Sequence, residues 1–179
     1  MRSLSDTELK RLHRRWRQRP GGRVALLLDS VQTPFNVGAI VRLAAAQRVE
    51  HLYLAGATVA PDHAKAHKTS LGTERYLTWS THPGEDDAVT AAREAGYFLL
   101  GLELADGAEP LHRLPLPADV CVALGHEHRG LSPSVLGACD AVAYIPQLGR
   151  VGSLNVAHAA TIAVYELRRR EWTALPDPP

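Results

Sequence analysis

Three loops of this chain place polar side chains directly after an apolar segment, and each loop contains glycine. Their polar residues are Asn36, Glu127, Ser153 and Asn155. Ser and Asn disfavour a helix interior because their side chains compete for backbone hydrogen bonds, but they cap a helix well. Ser153 and Asn155 open the last helical segment, so we expect their polar groups to face whatever binds in that loop.

The apolar segments before these loops are predicted to be strands, at residues 24–29, 120–124 and 141–145. Further strands are predicted at 51–54, 76–79 and 97–103, and helices at 85–95 and 153–171. Strands separated by helices indicate an α/β fold, with a mainly parallel sheet and helices on both faces. Ligands bind beyond the carboxyl ends of such strands, so the three loops are expected to share one site.

The composition predicts one compact domain in the cytoplasm. The 179 residues are 45% hydrophobic, which is ordinary for a globular fold. The N-terminus lacks the apolar run of a signal peptide, and no segment reaches the roughly 18 apolar residues that span a bilayer. Cys121 and Cys139 lack the C-x-x-C spacing of a redox or zinc pair, so both are predicted to fill the core.

The first 22 residues concentrate positive charge. Six cations crowd between residues 10 and 19: Lys10, Arg11, Arg14, Arg15, Arg17 and Arg19. Leucines at 4, 9 and 12 recur with Trp16 at helical spacing, which predicts an amphipathic helix whose apolar stripe docks on the body of the protein. A basic surface helix suits a nucleic-acid backbone, and a solvated charged face is the alternative.

Several common sites have no motif in this sequence. It contains no G-x-G-x-x-G for a dinucleotide, no G-x-x-x-x-G-K-[ST] for a nucleoside triphosphate and no G-x-S-x-G nucleophile elbow. Two histidine pairs, His63 with His67 and His126 with His128, lie outside any H-E-x-x-H context. We therefore predict no metal site, and we expect these histidines to face solvent or RNA.

Taken together, the loops resemble the three motifs of one enzyme family. The segments are 36–42 (NVGAIVR), 125–131 (GHEHRGL) and 145–156 (IPQLGRVGSLNV), and residues 68–74 (KTSLGTE) are similar to the family's loop between the first two motifs. This ordered set resembles the SpoU/TrmH family of RNA ribose 2′-O-methyltransferases, in the trefoil-knotted SPOUT superfamily. The resemblance extends from Val24 to about Trp172.

The resemblance implies a C-terminal deep trefoil knot, a homodimer whose active sites draw on both subunits, and S-adenosyl-L-methionine as cofactor. It places Leu102, Gly125, Ile145, Ser153 and Leu154 around the cofactor. It implies an RNA substrate, for which we favour tRNA over rRNA. A non-catalytic RNA-binding protein that keeps the knot is the alternative from another class.

The resemblance also assigns a catalytic role to Arg42, with Asn36, Glu127, Ser153 and Asn155 orienting it and the substrate. Arginine is a poor base because its pKa lies above about 12. Our hypothesis is that Arg42 anchors the phosphate beside the target ribose and stabilises the developing alkoxide. Two positions depart from the family pattern: Ala157 replaces a usual serine, and His126 replaces a small residue.

By this resemblance the chain divides into three parts. Residues 1–22 form a basic helical extension, 23–172 the SPOUT methyltransferase domain and 173–179 a disordered tail. The RNA-contacting residues are expected in the extension, at Lys10, Arg11, Arg14, Arg15 and Arg17.

Overall fold

The computed structural model describes residues 2–18 and 21–173. Its strands are β1 (Val24–Asp29), β2 (His51–Ala55), β3 (Thr78–His82), β4 (Phe98–Leu102), β5 (Glu109–Pro110), β6 (Val120–Leu124) and β7 (Ala141–Tyr144). Within the described residues they form one sheet in the order β3-β2-β1-β6-β4-β7-β5. Every neighbouring pair in it is parallel, as the sequence predicted.

Helices connect most of these strands. They are α1 (Asp6–Arg17), α2 (Pro34–Ala46), α3 (His67–Ser70), α4 (Glu85–Glu94), α5 (Pro133–Ala138) and α6 (Val156–Thr173), with a 3₁₀ turn at Thr73–Tyr76. Among the described residues, no helix combines the length and apolarity needed to cross a bilayer. Thr173 ends α6, and the rest of the predicted tail, 174–179, lies outside the described residues.

The core has two layers because alternate side chains of a strand point to opposite faces of the sheet. Leu26 and Leu28 of β1 pack with α2 and α6 on one face. Ala25 and Leu27 pack with α4 and α5 on the other face. The prediction of helices on both faces is therefore confirmed, and Cys121 lies fully buried in the second layer.

Two elements begin two or more residues later than predicted. Helix α6 begins at Val156 rather than Ser153, because the side-chain oxygen of Asn155 accepts the amide hydrogens of Ala157 (2.9 Å) and His158 (3.3 Å) and so caps the helix. Tyr76 lies in the 3₁₀ turn, and β3 starts two residues later at Thr78.

Helix α1 forms as predicted, but its apolar stripe is not buried. Leu4, Leu9 and Leu12 remain 51%, 41% and 39% exposed. The C-terminal end of α1 contacts the rest of the protein, because the Trp16 ring packs edge-on against the Trp172 ring with 5.4 Å between the ring centroids. All of its basic side chains between Lys10 and Arg17 are therefore exposed.

A buried arginine joins α6 to the end of α2. The guanidinium of Arg168, only 7% exposed, donates to the carbonyl oxygens of Gln47 (3.0 Å), Arg48 (2.8 Å) and Gly22 (3.0 Å). Gln47 is the C-cap of α2, and Arg48 adopts a left-handed conformation with φ 54°. Arg168 therefore satisfies carbonyl groups that the end of a helix leaves without partners.

We predict that Arg168→Lys lowers the free energy of unfolding by about 2 kcal/mol, because an ammonium group cannot reproduce the planar fork that reaches three carbonyls. Urea denaturation followed by circular dichroism measures this change. Arg169→Lys is the matched control, since Arg169 is half exposed and pairs only with Glu166 among the described residues. Its change should stay within about 0.5 kcal/mol. Equal losses in both variants would contradict the role of Arg168.

Candidate active site

A cavity of about 300 Å³ lies where the carboxyl ends of β4, β6 and β7 meet. This location is typical of ligand sites in parallel α/β sheets, and the volume is at the low end for a small-molecule site. Its lining includes all five residues predicted to surround the cofactor: Leu102, Gly125, Ile145, Ser153 and Leu154. The second and third motif loops therefore meet at this cavity.

The loop after β6 is folded tightly over this cavity. A Cβ atom on Gly125 would overlap the backbone of Gly130, and one on Gly130 would overlap the carboxylate of Glu103. Gly130 also has φ +69°, which glycine adopts without a steric penalty. Gly125 and Gly130 thus allow the loop to pack on itself. At Gly152, by contrast, an added Cβ atom would have no described atom within 4 Å.

A chain of hydrogen bonds connects the first, second and third motifs. The Asn36 amide nitrogen donates to Glu127 Oε1 at 2.9 Å, and the Asn36 amide oxygen accepts from Asn155 Nδ2 at 2.9 Å. The same Glu127 oxygen accepts the backbone amide of Thr33 at 2.9 Å. We call Glu127, Asn36 and Asn155 the amide relay. It fixes the orientation of both amide groups.

The amide relay keeps Glu127 ionised. Partial burial alone would raise the pKa of this carboxyl, but hydrogen bonds from Asn36 and Thr33 outweigh it and lower the pKa to about 2. At neutral pH Glu127 is therefore an acceptor held by its neighbours. It is better suited to orienting groups than to taking up a proton.

Arg42 lies apart from the amide relay. It stands six residues after Asn36 on α2, about 9 Å along the helix axis. Its side chain is exposed and, within the described part of the chain, makes no hydrogen bond or ion pair and does not line the cavity. The described chain thus brings Asn36, Glu127 and Asn155 into contact, puts Ser153 on the cavity wall, and leaves the Arg42 guanidinium available.

Sequence reasoning missed several polar residues of the cavity, among them Glu103 and Gln147. The Glu103 carboxylate accepts the backbone amides of Leu104 (2.9 Å) and Leu131 (3.0 Å), which ties the end of β4 to the loop after β6. Gln147 follows the end of β7. Glu103 directly follows β4, which is the signal that identified other site residues, whereas Gln147 lies three residues beyond the end of β7.

The two departures from the family pattern have different surroundings. Ala157 is 6% exposed and packs in the core with α2, so its methyl group has replaced a hydroxyl inside the protein. His126 lines the cavity, and its Nδ1 accepts the backbone amide of His128 at 3.0 Å. Only His126 changes a side chain that faces the candidate site.

Comparison with known proteins identifies the family. The model of the SpoU rRNA methylase family matches residues 23–165. The chain belongs to this family. The match covers β1 through most of α6, and it confirms the resemblance that the three motifs indicated.

Three similar proteins illustrate the range of the relatives. The tRNA (guanosine(18)-2′-O)-methyltransferase of Thermus thermophilus is 27% identical over 97% of this chain and 88% of its own length. The 23S rRNA (guanosine(2553)-2′-O)-methyltransferase RlmP of Bacillus subtilis is 30% identical over 82% of this chain and 58% of its own length. The solved structure of the SpoU methyltransferase AviRb from Streptomyces viridochromogenes, in complex with AdoMet, is 29% identical with a TM-score of 0.76, over 86% of this chain and 60% of that one.

The chain spans less than two thirds of the length of several curated relatives, between 58% and 65%. The comparison therefore concerns the part of those proteins that corresponds to the sheet, its helices and the three motif loops.

The amide relay predicts a specific pH dependence of stability. The pKa of Glu127 falls to about 2 on folding, so the ionised carboxylate stabilises the folded state. This contribution to the free energy of unfolding is complete above the ordinary glutamate pKa near 4.3, and it is lost as the pH falls toward 2. Glu127→Gln should lower the free energy of unfolding by on the order of 1–3 kcal/mol at pH 7. The difference between the unfolding free energies of the variant and the wild type should shrink between pH 5 and pH 3.

Urea denaturation at pH 7, 5 and 3 tests this prediction. Glu109→Gln, at an exposed position on β5, serves as the control and should show a small difference that does not change with pH. A Glu127→Gln difference that stays constant down to pH 3 would contradict the assignment.

Proposed function

We propose that this protein is an S-adenosyl-L-methionine-dependent RNA ribose 2′-O-methyltransferase. The observation that carries the proposal is the cavity at the ends of β4, β6 and β7, which adjoins the amide relay through Glu127. The activities of the Thermus and Bacillus relatives support the reaction, and the AdoMet complex of the Streptomyces protein supports the cofactor.

The residues present suit this cofactor. Leu102, Ile145 and Leu154 provide apolar surface for a purine ring, and Glu103 and Glu127 provide carboxylates at the same cavity. The side-chain oxygen of Gln147 is buried without a hydrogen-bond partner among the described residues, so the cavity has an acceptor to offer. When bound, the cofactor supplies a methyl group on a sulfonium, which is a good leaving group.

The task left to the protein is alignment, together with help in removing a proton from a weakly acidic ribose hydroxyl. Positioning reacting groups can supply roughly 7 to 11 kcal/mol of the barrier in favourable cases. We assign alignment to the amide relay and Ser153. Arg42 anchors the phosphate next to the target ribose and stabilises the developing alkoxide while the hydroxyl proton passes to solvent water, a role that matches its planar, charged and exposed guanidinium.

We favour tRNA as the substrate. The match to the Thermus tRNA enzyme covers 97% of this chain, so it extends beyond the α/β domain toward α1. The exposed cations of α1 provide a surface for RNA phosphates, whose binding is electrostatic and depends on salt. The Bacillus relative, which acts on 23S rRNA, supports rRNA as the second candidate.

A non-catalytic RNA-binding role is the alternative from another class. The intact amide relay argues against it, because three side chains from three separate loops still meet at hydrogen-bond distance. A protein that only binds RNA has no need of this arrangement beside a cavity.

The finer architectural proposals are a C-terminal trefoil knot and a homodimer. Sheet order supports the knot, since β6 lies between β1 and β4, and α6 follows β7 yet packs across the same face as α2. The exposed apolar side chains Ile162 and Tyr165 on α6, at 41% and 51%, support a second subunit there. A cytoplasmic location stays a prediction from the sequence.

Transfer of labelled methyl groups from S-adenosyl-L-methionine to RNA tests the reaction. The substrates are total tRNA and, separately, rRNA from cells that lack this gene, and nucleoside mass spectrometry identifies the product. We expect a 2′-O-methylated nucleoside in tRNA. Incorporation into rRNA alone would favour the second candidate, and no incorporation with cofactor binding intact would favour the non-catalytic role.

Arg42→Lys tests the anchoring role of Arg42. We expect turnover to fall by about 10²-fold or more, because lysine keeps the charge but loses the two parallel donors of the guanidinium. Single-turnover methylation of the RNA that proves active measures this. Arg113→Lys, at an exposed position outside the cavity, is the control and should keep full activity. Near-normal turnover of Arg42→Lys would refute the anchoring role.

A further inference from the structure

The side chain of Gln147 contains an acceptor with no partner. Its Oε1 is the only buried side-chain nitrogen or oxygen atom in the described part of the chain that makes no hydrogen bond. Leaving such a group unpaired in a protein interior is destabilising, because its hydrogen bond to water is lost and not replaced. Because Gln147 lines the cavity, a ligand bound there is the natural source of the missing donor.

The surroundings of Gln147 indicate which part of a ligand lies nearby. The residue follows Tyr144, the last residue of β7, and Ile145, and the cavity wall they share includes Leu102 and Leu154. Apolar side chains suit the faces of a flat purine ring. The carboxylates of Glu103 and Glu127 belong to other loops and suit the polar and cationic parts of the cofactor.

We propose that Gln147 determines base specificity in the cofactor site, by accepting a hydrogen bond from the exocyclic amino group of adenine. This inference rests on the proposed function, since it takes S-adenosyl-L-methionine as the ligand. A hypoxanthine ring carries a carbonyl oxygen in place of that amino group. Two acceptors would then face each other, so the site rejects the 6-oxo purine.

Calorimetric titration of the product S-adenosyl-L-homocysteine and its deaminated form, S-inosyl-L-homocysteine, tests the proposal without requiring catalysis. We expect the wild type to bind the adenosyl ligand about 10²-fold more tightly, as sites with a buried acceptor discriminate strongly against a ligand that cannot pair with it. Gln147→Met keeps a similar side-chain length without polar atoms. Its affinity for the adenosyl ligand should fall about tenfold, and its preference should nearly disappear.

Two further variants complete the experiment. Gln18→Met, at an exposed position just after α1, is the matched control and should bind both ligands like the wild type. Gln147→Asn keeps the amide but shortens it, and should also lose preference. It provides a second test if Gln147→Met does not fold, which circular dichroism reveals.

The outcomes separate this inference from the function on which it rests. If the wild type binds the adenosyl ligand and the folded Gln147 variants retain its full preference, the Gln147 assignment fails and the proposed function stands. Tighter binding of the inosyl ligand by the wild type would also overturn the assignment, because the amide would then present its NH₂ group. If a folded wild type binds neither ligand, the proposed cofactor is wrong, and the assignment falls with it.

Discussion

The arrangement of the site depends on the amide group of Asn36. One end of this amide donates to Glu127, and the other end accepts from Asn155. An aspartate of the same shape offers no donor for Glu127, and a leucine offers neither contact. Because Asn36 lies in the first turn of α2, the amide relay also fixes that helix relative to the loops after β6 and before α6.

Site geometry and fold stability are therefore coupled. Asn155 uses its amide nitrogen for the relay and its amide oxygen to cap α6. At the other end of α6, Arg168 donates to the carbonyls that end α2. The two helices are thus joined near both of their ends and run in the same direction across one face of the sheet. A change in either junction is expected to reach the cavity through the position of α6.

The strand pattern and the three motifs were sufficient to predict much of this molecule. Strands such as β1 and β6 are continuous apolar runs because both faces of the sheet are covered, and their ends identified the motif loops. The five predicted cofactor residues line one cavity because the carboxyl ends of parallel strands lie at the same edge of the sheet. Their roles stay predictions.

Features that depend on contacts between residues far apart in the chain could not be predicted from the sequence. No sequence pattern indicated that Arg168 is buried against the carbonyls of Gln47 and Arg48, about 120 residues earlier. The stripe of α1 predicted docking, but helical period alone does not say whether another surface covers it. Gln147 was missed because an unpaired acceptor is defined by what surrounds it rather than by its place in the chain.

The hydrogen bonds of the amide relay constrain the mechanism of the proposed reaction. Glu127 accepts the amides of Asn36 and Thr33, and its pKa of about 2 keeps it ionised throughout the neutral range. A carboxylate held in this way is a weak base, and its charge does not change during a reaction near neutral pH. In the proposed methyl transfer, the relay would act by holding fixed dipoles in place, which requires no reorganisation when the methyl group moves. In the proposed reaction the charge that develops on the ribose oxygen is assigned to a group outside the relay, and the exposed guanidinium of Arg42 makes no hydrogen bond or ion pair within the described chain.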